Sequence, residues 1–169
     1  MKNRIIAKLG VLVAVPMMVW AGAVPAHASE NMVYWKNWAT GGCLTSSTDG
    51  GIVGADAKAL WHCGGTNTYT SNWFESQDNL ESPDGHSWTL KDPSGRCLTA
   101  WYPDQNTGVG IVYTERCSSP ANWYEQWYED WDGSHFRLKN RQTGAYLDSN
   151  KEGDVYVKFW NGGRNQAWS

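Results

Sequence analysis

The stretch Trp88-Thr89-Leu90-Lys91-Asp92-Pro93-Ser94-Gly95-Arg96-Cys97-Leu98-Thr99 decides the fold, because the chain writes it again. Phe136-Arg137-Leu138-Lys139-Asn140-Arg141-Gln142-Thr143-Gly144-Ala145-Tyr146-Leu147-Asp148 repeats it with one inserted residue. Both copies read aromatic-x-Leu-Lys-Asx, then Gly, then a large residue followed by Leu. A looser third copy runs Tyr34-Trp35-Lys36-Asn37-Trp38-Ala39-Thr40-Gly41-Gly42-Cys43-Leu44-Thr45. The following halves repeat as well. Cys63 precedes Trp73-Phe74-Glu75 by ten positions, and Cys117 precedes Trp127-Tyr128-Glu129 by ten. Cys43 to Cys97, Cys63 to Cys117 and Trp73 to Trp127 are all fifty-four apart. In the last copy Trp160 takes the cysteine position, and Asn165-Gln166-Ala167-Trp168 closes the chain's final unit. Internal periodicity of this kind is the mark of a repeat architecture. The units cover about 34–75, 86–130 and 134–169.

Within each unit the local signals are those of strands. Short alternating runs such as Trp88-Thr89-Leu90, Phe136-Arg137-Leu138 and Val155-Tyr156-Val157 carry the period of two expected of a half-buried strand. Asp84-Gly85 and Asp132-Gly133 stand just before Trp88 and Phe136 as hairpin cues. Gly41, Gly95 and Gly144 each precede the Cys or Tyr landmark by two, where a turn residue belongs. Beyond the N-terminal segment no long stretch has a 3.6-residue apolar period. The expected class is all-β, with three units closing around a pseudo-threefold axis and burying their Leu and Trp positions against one another. Ser76 to Pro83 forms a polar connection between the first two units.

The N-terminus reads differently. Lys2, Arg4 and Lys8 precede an apolar run from Leu9 to Ala23, and Val24-Pro25-Ala26-His27-Ala28 follows, with small residues at Ala26 and Ala28. That order predicts an export signal over 1–28, cleaved after Ala28, and a mature domain over 29–169. No other stretch approaches membrane-spanning length. Removing the leader takes the net charge from −3 to about −6, and the mature chain has no basic patch, which argues against nucleic acid as a partner. All four cysteines lie beyond the leader. An even count in an exported chain favours disulfides, and two equal spacings of twenty assign Cys43–Cys63 and Cys97–Cys117. Without a Cys-x-x-Cys pair, no zinc site is expected.

The landmarks together resemble the ricin-type β-trefoil lectin domain. Gly41-Gly42-Cys43-Leu44, Gly95-Arg96-Cys97-Leu98 and Gly144-Ala145-Tyr146-Leu147 match the front of that family's repeat. Cys63 and Cys117 match its second cysteine, and Gln166-Ala167-Trp168 matches its Gln-x-Trp end motif. The likeness spans about Tyr34 to Trp168. There are departures too: the first two units keep only Trp73 and Trp127 of the end motif, with Ser71 and Glu125 at the Gln position, and the third has replaced both cysteines.

The resemblance implies a β-trefoil that binds sugars without a cofactor. A sugar ring has one face of C–H groups and an edge of hydroxyls. A working repeat therefore pairs a stacking aromatic with an acid after the front Leu and an amide from the end motif. The first unit has Trp61 at the stacking position but Thr45 as the acid. The second has Thr99 and Glu115. The third has Asp148, Asn165 and Gln166, with Lys158 where the ring should be and Asn161 nearby. Tyr156 lies two positions before Lys158 and would reach this pocket through a local bulge. Gln166 also suits a tether between strands, and Asp148 a turn-capping carboxylate.

No Gly-x-Ser-x-Gly elbow and no metal-spaced histidine pair occurs, so a free-standing enzyme is not expected. The expectation is a secreted carbohydrate-binding module that meets an extracellular glycan or glycoprotein, with its near-complete site in the third unit. The alternative is a degenerate trefoil that binds a secreted protein partner, as a toxin-complex subunit or a hydrolase inhibitor. Loop aromatics such as Trp101 and Tyr102 would then form the contact.

Overall fold

The computed structural model describes residues 31–46, 53–56, 63, 71–76 and 86–169. The expected leader over 1–28, the Asp84-Gly85 cue and Trp61 lie outside the described residues.

The described chain is all-β. Eleven strands are formed among the described residues: β1 Asn31–Val33, β2 Cys43–Ser46, β3 Val53–Asp56, β4 Trp73–Ser76, β5 Trp88–Lys91, β6 Arg96–Ala100, β7 Gly110–Arg116, β8 Gln126–Trp131, β9 Phe136–Asn140, β10 Tyr146–Ser149 and β11 Val155–Lys158. One sheet runs β1-β4-β5-β6-β7-β11-β10-β9-β8, and a further pairing of β5 with β8 closes seven of these strands into a ring. β2 and β3 form a separate hairpin. Among the described residues no helix is long and apolar enough to cross a membrane.

The repeated landmarks meet in the core. Leu44, Leu98 and Leu147 of the front motifs are fully buried, as are Trp73, Trp127 and Trp168 of the end motifs. Each indole donates its N–H to the carbonyl of the corresponding Leu: Trp73 to Leu44 at 3.0 Å, Trp127 to Leu98 at 2.9 Å and Trp168 to Leu147 at 3.1 Å. A buried indole needs such a partner, and here the bond also fixes where each unit's last strand meets its second.

The Asx position of the repeat makes the turns. Asn37 Oδ1 accepts from the Ala39 and Thr40 N–H groups, Asp92 Oδ1 from Ser94 and Arg96, and Asn140 Oδ1 from Thr143. These turns run into Gly95 and Gly144 at φ of 80° and 68°, a region costly for any residue with a Cβ. The two asparagines also reach outward: Asn37 Nδ2 donates to the Asn165 carbonyl at 2.7 Å and Asn140 Nδ2 to the Tyr124 carbonyl at 2.8 Å. Each thus ties the start of one unit to the end of another. The Asp132-Gly133 cue does mark a hairpin, joining β8 to β9. The Asp132 carboxylate accepts from the Ser134 and His135 N–H groups, which hold its pKa down at about 2.

Both expected disulfides, Cys43–Cys63 and Cys97–Cys117, are present. At the equivalent place in the third unit, the Tyr146 and Trp160 rings touch at 5.4 Å. One feature was invisible in the sequence. Glu75 and Glu129, each two residues after an end-motif Trp, face one another inside the fold. Burial raises the Glu75 pKa to about 9 and raises that of Glu129 as well, with the two carboxyls hydrogen-bonded to one another.

Two outcomes are expected. Trp127→Phe removes the donor to the Leu98 carbonyl and should cost about 1–3 kcal/mol, read as a lower urea midpoint. The native state also holds a proton on Glu75 that the unfolded chain releases near pH 4.5. Its stabilising effect is therefore complete below that pH and fades as pH climbs toward 9. Thermal melts between pH 5 and 9 should show this decline in the wild type and a flatter profile in Glu75→Gln.

Candidate functional site

β10 and β11 pair antiparallel in four continuous steps: Tyr146 with Lys158, Leu147 with Val157, Asp148 with Tyr156 and Ser149 with Val155. Strand alternation sends Leu147, Val155 and Val157 into the core. It puts Tyr146, Asp148, Tyr156 and Lys158 together on the other face. The bulge expected for Tyr156 is absent. Tyr156 stands directly across from Asp148 in regular register, so the ordinary pleat brings the ring to the acid. The same pairing joins Thr99 to Tyr113 in β6 and β7, where the acid is missing.

The segment from Phe159 to Gln166 folds over this face, and Gln166 shapes it. Its Oε1 accepts from the Asn161 N–H at 3.2 Å, and its Nε2 donates to the Lys158 and Phe159 carbonyls, both at 3.3 Å. Gln166 is fully buried. Its carboxamide is engaged with the chain's own backbone, as a tether would be. Asn165 Nδ2 donates to the Ser149 carbonyl, which seats Asn165 beside Asp148. Asn161 Oδ1 accepts from the Gly163 N–H at 2.7 Å, while its Nδ2 approaches the Asp148 carboxylate at a long 3.5 Å.

Asp148 is only 2% exposed. Burial raises its pKa above the ordinary carboxylate value, opposed by hydrogen bonds from Asn161 and Tyr156 and by the Lys158 ammonium. Burial and the Asp148 charge together push the Tyr156 phenol up to about 12. The Lys158 Nζ lies 5.6 Å from the centre of the Tyr156 ring. The structure thus gathers Asp148, Tyr156, Lys158, Asn161 and Asn165 in one place. They provide an aromatic face, a fixed acceptor, an ammonium donor and two amides. This set suits noncovalent recognition of a hydroxyl-rich ligand. Among the described residues, no group of three or more His, Cys, Asp and Glu could hold a metal.

The loop aromatics form a second feature. Trp101 stacks on Tyr124 at 4.7 Å and 13°, and Tyr102 meets Tyr124 edge-on at 5.9 Å. Tyr124 stands in the end motif of the second unit where Asn165 stands in the third. The sequence missed a further group, the Trp131, Tyr146 and Trp160 rings beside Arg137. The available signal was the replacement of a cysteine pair by two aromatics.

No protein-family model matches the chain, and no curated protein does. Solved structures do. A designed threefold-symmetric protein, ThreeFoil, superposes with a TM-score of 0.61 at 19% identity, over 81% of this chain and 95% of that one. SeviL bound to asialo-GM1 saccharide gives 0.59 at 17%, over 83% and 95%. The cytolethal distending toxin of Haemophilus ducreyi gives 0.60 at 13%, over 82% and 81%. At these identities the likeness is one of fold, a β-trefoil-like arrangement.

Gln166→Ala should release the loop that covers Asp148. With three hydrogen bonds removed, at about 0.5–1.5 kcal/mol each, the variant should melt at lower temperature, and amide exchange at Asn161 should quicken.

Proposed function

We propose that this chain is a secreted carbohydrate-binding module whose working site is the outer face of β10 and β11. The reading rests on the Asp148–Tyr156 pair, which sets a carboxylate beside an aromatic ring with Lys158 and two asparagines around them. A sugar would lay its C–H face on Tyr156 and give two hydroxyl protons to Asp148. Asn161, held to Asp148 only by a 3.5 Å contact, would yield its place to the incoming hydroxyls. Lys158 and Asn165 would then supply donors to ring or hydroxyl oxygens. The desolvated carboxylate makes each such bond stronger than it would be in water. A structural neighbour that carries a bound saccharide supports this use of the fold, though fold by itself does not fix function. The two disulfides suit an oxidising, extracellular setting.

A second reading is favoured by the Trp101, Tyr102 and Tyr124 cluster. Trp101 is half exposed although held rigid by stacking, as an anchor for a protein partner would be. A toxin complex among the structural neighbours is in keeping with it.

A glycan array separates the two. The wild-type protein should bind, and Asp148→Ala should fold normally yet lose at least ten-fold in signal, while Trp101→Ala binds as the wild type does. Silence of the wild type on every printed glycan would sink the lectin reading and leave the protein-binding one.

A further inference from the structure

Beside the proposed site lies a cleft of about 160 Å³, lined by Asp130, Trp131, Asp132, Arg137, Tyr146 and Trp160. We infer that this cleft is a second sugar subsite, contiguous with the Asp148 site, which takes the neighbouring residue of the same oligosaccharide. The inference rests on the reading of the Asp148 face as a sugar site.

The two places share a wall. Tyr146 precedes Asp148 by two on β10 and points to the same face, opposite Lys158. Successive same-face positions on a strand are about 7 Å apart, so a ligand leaving Asp148 toward Tyr146 enters the cleft within one sugar unit. The volume is well below the ~300–1,000 Å³ of a drug-sized pocket and suits one ring.

The lining has the right chemistry and is held in place. Trp131 is 56% exposed and packs one side on Phe136 at 4.7 Å. Trp160 is 52% exposed and is braced by Tyr146 and by the Arg137 guanidinium, 4.9 Å from its ring centre. Arg137 is fixed in turn by Asp132 at 2.7 Å. Two rigid, half-open indoles offer stacking surface at little ordering cost. Asp130 adds a carboxylate to the lining as an acceptor for hydroxyls, while Asp132 holds the turn and Arg137 in place.

The third unit's lost disulfide points the same way. Here the Tyr146–Trp160 contact leaves half of a large apolar ring in water, an arrangement that favours a partner with an apolar face.

The test uses an array of printed mono- to hexasaccharides with four proteins: wild type, Trp131→Ala, Trp160→Ala and Asp148→Ala. Thermal melts confirm folding. Trp131 takes no part in the Tyr146–Trp160 contact, so Trp131→Ala decides the matter if Trp160→Ala is unstable. The wild type should hold its best oligosaccharide at least ten-fold more tightly than any constituent monosaccharide. Trp131→Ala should erase that preference and leave monosaccharide binding unchanged, while Asp148→Ala should lose both. Full oligosaccharide affinity in Trp131→Ala would overturn the subsite and spare the Asp148 site. Loss in Trp131→Ala with none in Asp148→Ala would uphold the cleft and overturn the Asp148 reading. No binding by the wild type would overturn both.

Discussion

The bond from an end-motif indole to a front-motif leucine carbonyl is the constraint on which this fold depends. Each unit's second strand must present its Leu carbonyl inward, and each unit's last segment must bring a Trp back to it. The bond forms at Leu44, Leu98 and Leu147 within 0.2 Å of the same length. These three end-motif indoles are fully buried, and pairing each N–H offsets the cost of taking that donor out of water. Asn37 and Asn140 then join one unit's start to another's end. A chain built in this way can vary its hairpins freely, because its closure is set by the Trp, Leu and Asx positions.

That division explains what could be read in advance. The Trp, Leu, Gly and Cys landmarks recur at fixed offsets, so the all-β class, the turns at Gly95 and Gly144 and both disulfides were legible in the residues. Asp148 and Asn165 were also readable as neighbours, since the repeat frame places them. The position of Tyr156 was misjudged because counting back from Trp160 put Lys158 where the stacking ring should be and left Tyr156 needing a bulge to reach the site. The ladder shows that positions two apart share a face, so both Tyr156 and Lys158 serve it. Gln166 was readable as tether or as contact, and its three backbone bonds are those a tether would make. The Glu75–Glu129 pair and the Trp131 cleft depend on contacts between units, which no local pattern encodes.

The second and third units show how one frame gives different surfaces. Glu125 and Gln166 hold the same position and do the same work. Glu125 accepts from the Ser118 N–H and hydroxyl as Gln166 accepts from the Asn161 N–H. The carboxylate has no N–H to give to backbone carbonyls, and it instead accepts a further hydrogen bond from Asn122 Nδ2 at 2.9 Å. The loop is kept in both cases, so the change of Gln to Glu in the end motif does not by itself mark a failed unit.

What separates the two units is the residue just before that tether. In the third, Asn165 is short and polar and turns to the Ser149 carbonyl, leaving the space beside Asp148 lined by hydrogen-bonding groups. In the second, Tyr124 turns instead to Trp101 and stacks on its ring. Thr99 stands in place of the acid and donates its hydroxyl to the Cys97 carbonyl, while the carboxylate on this face is Glu115, at the position Lys158 holds in the third unit. The second unit therefore presents stacked aromatic rings where the third presents polar groups. The third has a pair of rings where the second has a disulfide, and a carboxylate at Asp148 where the second has Thr99. One β-trefoil-like frame thus carries two faces of unlike chemistry, set by the residue before the tether, the residue after the front Leu and the pair at the two cysteine positions.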